Sequence, residues 1–339
     1  MPVLKILFDH PFPFALAHGG VETQILETKR GLESIGLEVE FFRWWDPNQT
    51  GNLIHFFGLP SLGYLDRARA KNIPVVATHL LTATCNRPPW RLRLQGAVVD
   101  LLLRLPGWGT VRDQTTWPVL RSLPCLCVGL EAERNALIWA FGVKPERIHL
   151  IPLGLADDFL QAPPPTRNEP WLITTGTITQ RKHSLELALW AKAARTPLLF
   201  VGKPYSKSDP YWRAFHREID GTWVIHHPHV ESRNEIISLL SRARGFVLHS
   251  AHENWCLSAH EAAACGLPLL LPDQPWSRER FGDQAHYWPA RPGADHARLL
   301  RTFYDQCPNL APPAIRLGSW NESAAQLLEV YRKMLPTID

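Results

Sequence analysis

At 339 residues the chain is too long for one typical core and suits two domains of ordinary size. A hydrophobic content of 45% with 20% charged residues excludes a disordered chain, and a formal charge of only +4 gives nucleic-acid binding no global support. Cys85, Cys125, Cys127, Cys256, Cys265 and Cys307 form no C-x2-C pair and no zinc spacing, which fits a reducing compartment.

The first segment, MPVLKILFDHPFP, is a predicted strand running into a loop, without the charged region, apolar core and cleavage site of a signal peptide. No stretch approaches the roughly 18 apolar residues of a transmembrane helix, so the expected location is the cytoplasm, with peripheral contact at the inner membrane face left open. Short apolar runs at 3–8, 37–42, 53–57, 75–78, 123–128 and 148–152 alternate with helical patterns at 21–34, 61–71, 91–105 and 131–141. Such alternation predicts βαβ units and a parallel sheet. Cys125 and Cys127 fall on one face of their strand, where free cysteines act as small apolar residues. The Pro-rich stretch APPPTRNEP at 162–170 continues neither element and reads as a linker. Alternation restarts with strands at 171–175, 198–201, 222–225, 245–249 and 269–271, and Ser319-Trp320-Asn321-Glu322 has the capping-box pattern of a final helix reaching about Leu335.

Chemistry-bearing residues gather behind these strands. In HSAHENWCLSAHEAAACGLPLLLPD, Glu253 is expected in the loop beyond a strand and Glu261 about two turns into the next helix. Both can then face one ligand in the crevice beyond the strands' carboxyl ends, although an isolated E-x7-E is usually two solvated glutamates. Gly176-Thr-Ile-Thr-Gln-Arg181-Lys182-His183 follows a strand and opens a helix. Its glycine allows close backbone approach, and its two cations beside a helix N-terminus suit a diphosphate. His18-Gly19-Gly20 occupies the first βα turn, and His79 ends the strand PVVATH. Between His79 and Leu123, Arg87, Arg91, Arg93, Arg104, Arg112 and Arg121 interleave with Trp90, Trp108 and Trp117, opposed only by Asp100 and Asp113. That mixture suits an anionic membrane surface, a lipid-linked acceptor, carbohydrate stacking, or a solvated face over buried aromatics.

The passage holding Glu253, Glu261, Ala262, Ala264, Gly266, Pro268 and Asp273 resembles the signature of family 4 retaining glycosyltransferases (glycosyl transferases group 1). The resemblance implies the GT-B architecture, two Rossmann-like parallel-sheet domains facing across a cleft. It divides the chain into an acceptor-side domain at 1–162, a linker at 163–170, a donor-side domain at 171–318, and a C-terminal helix at 319–339 that packs back on the first domain. It implies a metal-independent hexosyltransferase that uses a GDP- or UDP-linked sugar as co-substrate, with a weak lean toward GDP-mannose, and a glycan, lipid-linked or small-molecule acceptor. Arg181 and Lys182 are carried over as diphosphate ligands, Glu253 and His79 as contacts of the donor sugar, and Glu261 as the ribose ligand. Gly19, Gly20, Gly176 and the Trp255-Cys256-Leu257 turn line the donor.

The chain departs from the pattern at Cys256, where the family has glycine, and at Thr177, His183, Gly129 and Leu153. A GT-B epimerase or hydrolase, or a nucleotide-sugar-binding module without catalysis, is the alternative, because a fold alone does not establish activity.

Overall fold

The structure, a computed structural model, describes residues 4–14, 19–79, 83–104 and 116–335. His18, Trp108, Arg112 and Asp113 lie outside the described residues. In chain order the first half has β1 (Lys5–Asp9), α1 (Gly20–Ser34), β2 (Glu38–Phe41), β3 (Leu53–Phe57), α2 (Leu62–Ala70), β4 (Val75–Thr78), α3 (Pro89–Arg104), α4 (Thr116–Ser122), β5 (Cys125–Val128), α5 (Glu131–Phe141) and β6 (Ile148–Leu150). There follow α6 (Asp157–Leu160), β7 (Leu172–Thr175), α7 (Ser184–Ala193), β8 (Leu198–Val201), α8 (Pro210–Arg217), β9 (Val224–His227), α9 (Arg233–Arg242) and β10 (Phe246–Val247). The chain continues through α10 (Leu257–Ala264), β11 (Leu269–Pro272), α11 (Pro275–Phe281), β12 (His286–Trp288), α12 (His296–Gln306) and α13 (Trp320–Met334).

Two compact units result, one of residues 1–17, 21–154 and 320–339, the other of residues 18–20 and 155–319. The first unit holds a parallel sheet in the order β2-β1-β3-β4-β5-β6. Its central strands β3 and β4 are buried along their whole length, which is why they read as largely apolar runs, with His55 and Thr78 the polar exceptions. Helix α13 seals one face: Ala324, Leu327, Val330 and Tyr331 join Ile6, Phe8, Leu53, Cys125 and Cys127 in a single core. The Tyr331 hydroxyl lies 2.5 Å from His55 Nδ1, and His55 Nε2 lies 2.7 Å from Thr78 Oγ1, so the helix is tied to both β3 and β4 by a buried polar chain. Burial pushes the His55 ring down to about 3, so it sits there neutral. At the start of α5 the buried Glu133 carboxylate accepts from the N–H groups of Gly129 and Leu130, which accounts for the helix end without a serine at 129.

The second unit has the order β12-β11-β10-β7-β8-β9, again all parallel. That is the doubly wound dinucleotide-fold order, whose direction of winding reverses between β7 and β10. Two expectations need correction. The chain divides at Gly154–Leu155, not beyond residue 162, and the Pro-rich stretch is no free linker. Thr166 and Arg167 donate their backbone N–H groups to Ser241 O, and the Arg167 guanidinium reaches Gly266 O at 2.7 Å. Strand β9 begins at Val224 rather than 222, because the Asp220 carboxylate captures the N–H groups of Thr222, Trp223 and Val224 in a turn. Strand β12 was not foreseen.

Candidate active site

Two turns distant in sequence meet at the carboxyl ends of β7 and β10. Strand β7 stops at Gly176, whose φ of +142° is open to glycine and closed to most other residues. The chain then makes a tight turn at Gln180–Lys182, and His183 takes a left-handed conformation (φ +48°) before α7 begins at Ser184. Arg181 and Lys182 therefore precede the helix instead of opening it, as the sequence suggested. From the β10 side, Ala251 N–H donates to Arg181 O, which locks the two turns together.

The result is a three-group charge cluster. Glu253 Oε1 lies 2.6 Å from Lys182 Nζ and 2.7 Å from Arg181 Nη1. The Glu253 and Lys182 side chains are only 10% and 13% exposed, while Arg181 at 38% reaches solvent. Burial alone would raise the Glu253 carboxyl, but Lys182 and Arg181 outweigh it and hold the group at about 2. The cluster carries one negative and two positive charges, an unbalanced site suited to an anion. The hydroxyls of Thr175 and Thr179, flanking the same turn, are buried without a hydrogen-bond partner among the described residues.

Glu261 is the fifth residue of α10, just over one turn in, because the helix starts only after Cys256. Burial pushes its carboxyl up to about 7 against the pull of Arg233 and Lys182. Leu257 opens the helix, and Trp255 and Cys256 precede it, both buried. Cys256 has φ +57°, a conformation that costs a residue with a Cβ about 1–2 kcal/mol. Its thiol is raised to about 11, chiefly by burial, and stays protonated.

Of the residues singled out in the sequence, Gly176, Arg181, Lys182, Glu253, Trp255, Cys256, Leu257 and Glu261 all fall in the second unit around this switch point. His79 falls in the first unit, and Gly19 and Gly20 are grouped with the second. His79 follows β4, burial pushes its ring down to about 4, and its Nδ1 is buried without a partner among the described residues. Gly20 opens α1, and Gly19 before it has φ +126°.

Three nearby histidines gave no signal in the sequence. His249, wholly buried, sits 2.9 Å from His183 Nδ1 and 3.0 Å from His296 Nε2. His260 is buried in α10. Strand order, which a sequence does not show, brings His249 beside His183, whereas His260 reaches Cys256 O from four residues on, in α10. The arginine-tryptophan region divides: Trp117 donates to Ala140 O and Arg121 binds Phe141 O and Asp100, both within the fold, whereas Trp90, Leu94, Val98 and Leu101 stand exposed on α3. Among the described residues no group of three or more His, Cys, Asp or Glu side chains could hold a metal ion. No helix of the described residues is long and apolar enough to cross a membrane.

No protein-family model matches the chain. Among curated proteins it is 26% identical over 285 residues to the serotype-specific mannosyltransferase WbdA of Escherichia coli, covering 71% of this chain and 33% of that protein. It is 25% identical over 236 residues to an MMP alpha-(1->4)-mannosyltransferase of Mycolicibacterium hassiacum, covering 65% of this chain and 56% of that one. The chain thus spans about a third and about half the length of these curated relatives. Among solved structures it resembles Anabaena HepE in complex with UDP and glucose, at a TM-score of 0.66 and 15% identity over 97% of this chain and 99% of that one. It also resembles a sucrose-phosphate synthase of Thermosynechococcus elongatus, at 0.64 and 18% over 97% and 98%. These likenesses, with the two parallel sheets, show the fold to be GT-B, two Rossmann-like domains in one chain.

Proposed function

We propose that the chain is a retaining, metal-independent glycosyltransferase of family 4 type that moves a hexose from a nucleotide-sugar donor. One observation carries the reading: Arg181 and Lys182 converge with Glu253 at the β7–β10 switch point, where doubly wound sheets bind nucleotides. The two cations would neutralise the diphosphate as it leaves, the term that electrostatic catalysis supplies most effectively. Glu253 would hold donor-sugar hydroxyls and Glu261 the ribose. No enzymic nucleophile is assigned, since the acceptor attacks from the leaving-group face in this reading. Both curated relatives are named mannosyltransferases, which supports a mannosyl donor; UDP in the HepE structures keeps a uridine donor in play. The exposed stripe of Trp90, Leu94, Val98 and Leu101 beside Arg91 supports a lipid-linked acceptor or peripheral membrane contact.

The test is a thermal-stability screen of nucleotides and nucleotide sugars followed by product analysis. Saturation of about 100-fold adds roughly 2.7 kcal/mol. One base should stabilise the protein, and the product should be a new glycoside. An epimer or free sugar would point to the hydrolase or epimerase alternative. No stabilisation at millimolar ligand would sink the reading.

Glu261 adds a pH prediction. Its folded value of about 7 lies above the usual carboxyl value of 4.5. Burying this carboxyl therefore weakens the free fold, an effect absent below about 4.5, growing between 4.5 and 7 and fully present above 7. A ribose that donates to the carboxylate selects the ionised form. Nucleotide affinity should thus rise about tenfold from pH 6 to pH 8, with proton release at the lower pH. Calorimetry in buffers of different ionisation enthalpy reads this, and Glu261→Gln should flatten the profile. An equal slope in the variant would remove Glu261 from the ribose site.

A further inference from the structure

The donor turn contains a residue in the wrong conformation for its type. Cys256 carries a side chain at φ +57°, a region that only glycine enters freely, so its neighbours must hold it there. One side chain grips both residues before α10. His260 Nδ1 lies 3.0 Å from Cys256 O, and its ring lies parallel to Trp255, 4.9 Å between centroids and 7° between planes. The other ring nitrogen, Nε2, is 3.2 Å from Arg280 Nε. A guanidinium has only donors, so Nε2 is the acceptor, Nδ1 carries the hydrogen, and that hydrogen goes to Cys256 O. Arg280 also lies 4.0 Å from the Trp255 ring centre, which closes the cluster. Burial, with Arg280 adding to it, pushes His260 down to about 3, so the tautomer persists across the physiological range.

We infer that His260, with its tautomer set by Arg280, is the positioning residue that holds Cys256 in the left-handed region and so presents the Glu253–Leu257 turn to the donor. The inference rests on the donor-site reading above. It also explains how this chain dispenses with glycine at 256: the hydrogen bond and the ring stack supply the conformational constraint that a Cβ opposes.

A double-mutant cycle of His260→Phe and Cys256→Gly tests it. Phe keeps a ring against Trp255 and removes both nitrogens, and Gly removes the need to be held. GDP and UDP are the probes, read by calorimetry. His260→Phe should weaken the nucleotide that wild type binds about tenfold, whereas the same change in the Cys256→Gly background should cost less than about threefold. His260→Asn, whose amide can still donate to the carbonyl, should recover most of the affinity. In turnover the loss should appear in donor KM and not in kcat.

An equal cost in both backgrounds, or a loss confined to kcat, would overturn the inference. The urea midpoints of the same four proteins give a ligand-free version of the cycle, in which Cys256→Gly should offset part of the His260→Phe loss. If wild type binds neither nucleotide, the transferase reading fails while the midpoints still decide the positioning role. If His260→Phe does not fold, Arg280→Lys, which keeps the charge without the Nε donor, takes its place in both cycles.

Discussion

Glu253→Gln is expected to melt well below wild type and yet to gain more from a nucleoside diphosphate. In the wild type one buried carboxylate serves two cations, at 2.6 Å and 2.7 Å. Removing one partner of a buried pair typically costs about 3–5 kcal/mol, because the remaining charge stays desolvated. The lower end applies here, since Arg181 is 38% exposed and water screens part of its charge. A diphosphate restores the missing negative charge and no longer competes with a carboxylate for Lys182 and Arg181. Its stabilising shift should therefore exceed that of wild type. Sugar transfer should nonetheless fall at least about 100-fold, because the group proposed to hold the donor sugar is lost.

The pH dependence has a definite sign. A carboxyl held at about 2 in the fold, against 4.5 ordinarily, stabilises fully above 4.5 and loses that contribution as pH falls toward 2. Urea melts at pH 7 and pH 3 should show the gap between wild type and Glu253→Gln closing at the lower pH. A variant as stable as wild type at pH 7, with a smaller nucleotide shift, would contradict the charge assignment.

The features legible in sequence were those written contiguously. Strands buried on both faces, such as Leu53–Phe57, Val75–Thr78 and Leu198–Val201, appear as apolar runs with sharp ends and were found at their observed limits. The edge strand β12 is three residues long with His286 exposed, too short and too mixed to stand out. The domain boundary misled for a related reason. A Pro-rich stretch has the composition of a linker whether or not its backbone N–H groups find partners, and here those of Thr166 and Arg167 bond to Ser241. Within the candidate site, Gly176 through Lys182 is one local turn and was readable. The shared carboxylate depends on β10 lying beside β7, a fact of topology. His260 and Arg280 are twenty residues apart on different helices, so neither residue type nor spacing marks them.

Gly202→Ala should produce the other large effect, through the backbone alone. A Cβ at Gly202 would stand 2.0 Å from Gly176 O and 2.9 Å from Gly176 C, distances no packing tolerates. Neither side can yield easily. Gly202 N–H donates to His227 O, His226 Nε2 lies 2.9 Å from Gly202 O, and Gly176 N–H donates to Val201 O, so β7, β8 and β9 all pin this point. Overpacking of this kind costs typically 1–3 kcal/mol, and the φ of +154° adds conformational strain to it. We expect a loss of about 3 kcal/mol and a Tm lower by about 6–12 °C at the size of one unit. The clash also displaces Gly176, where a Cβ would lie 3.7 Å from Lys182 Cε, so nucleotide stabilisation should vanish with the lost geometry. Gly221→Ala is the control: its φ is +73° but no atom lies within 4 Å of the added methyl, so it should cost only about 1 kcal/mol and leave nucleotide binding intact. Equal melting of the two variants would mean that the β7–β8 turn adapts, and the rigid diphosphate cradle would then have to be abandoned.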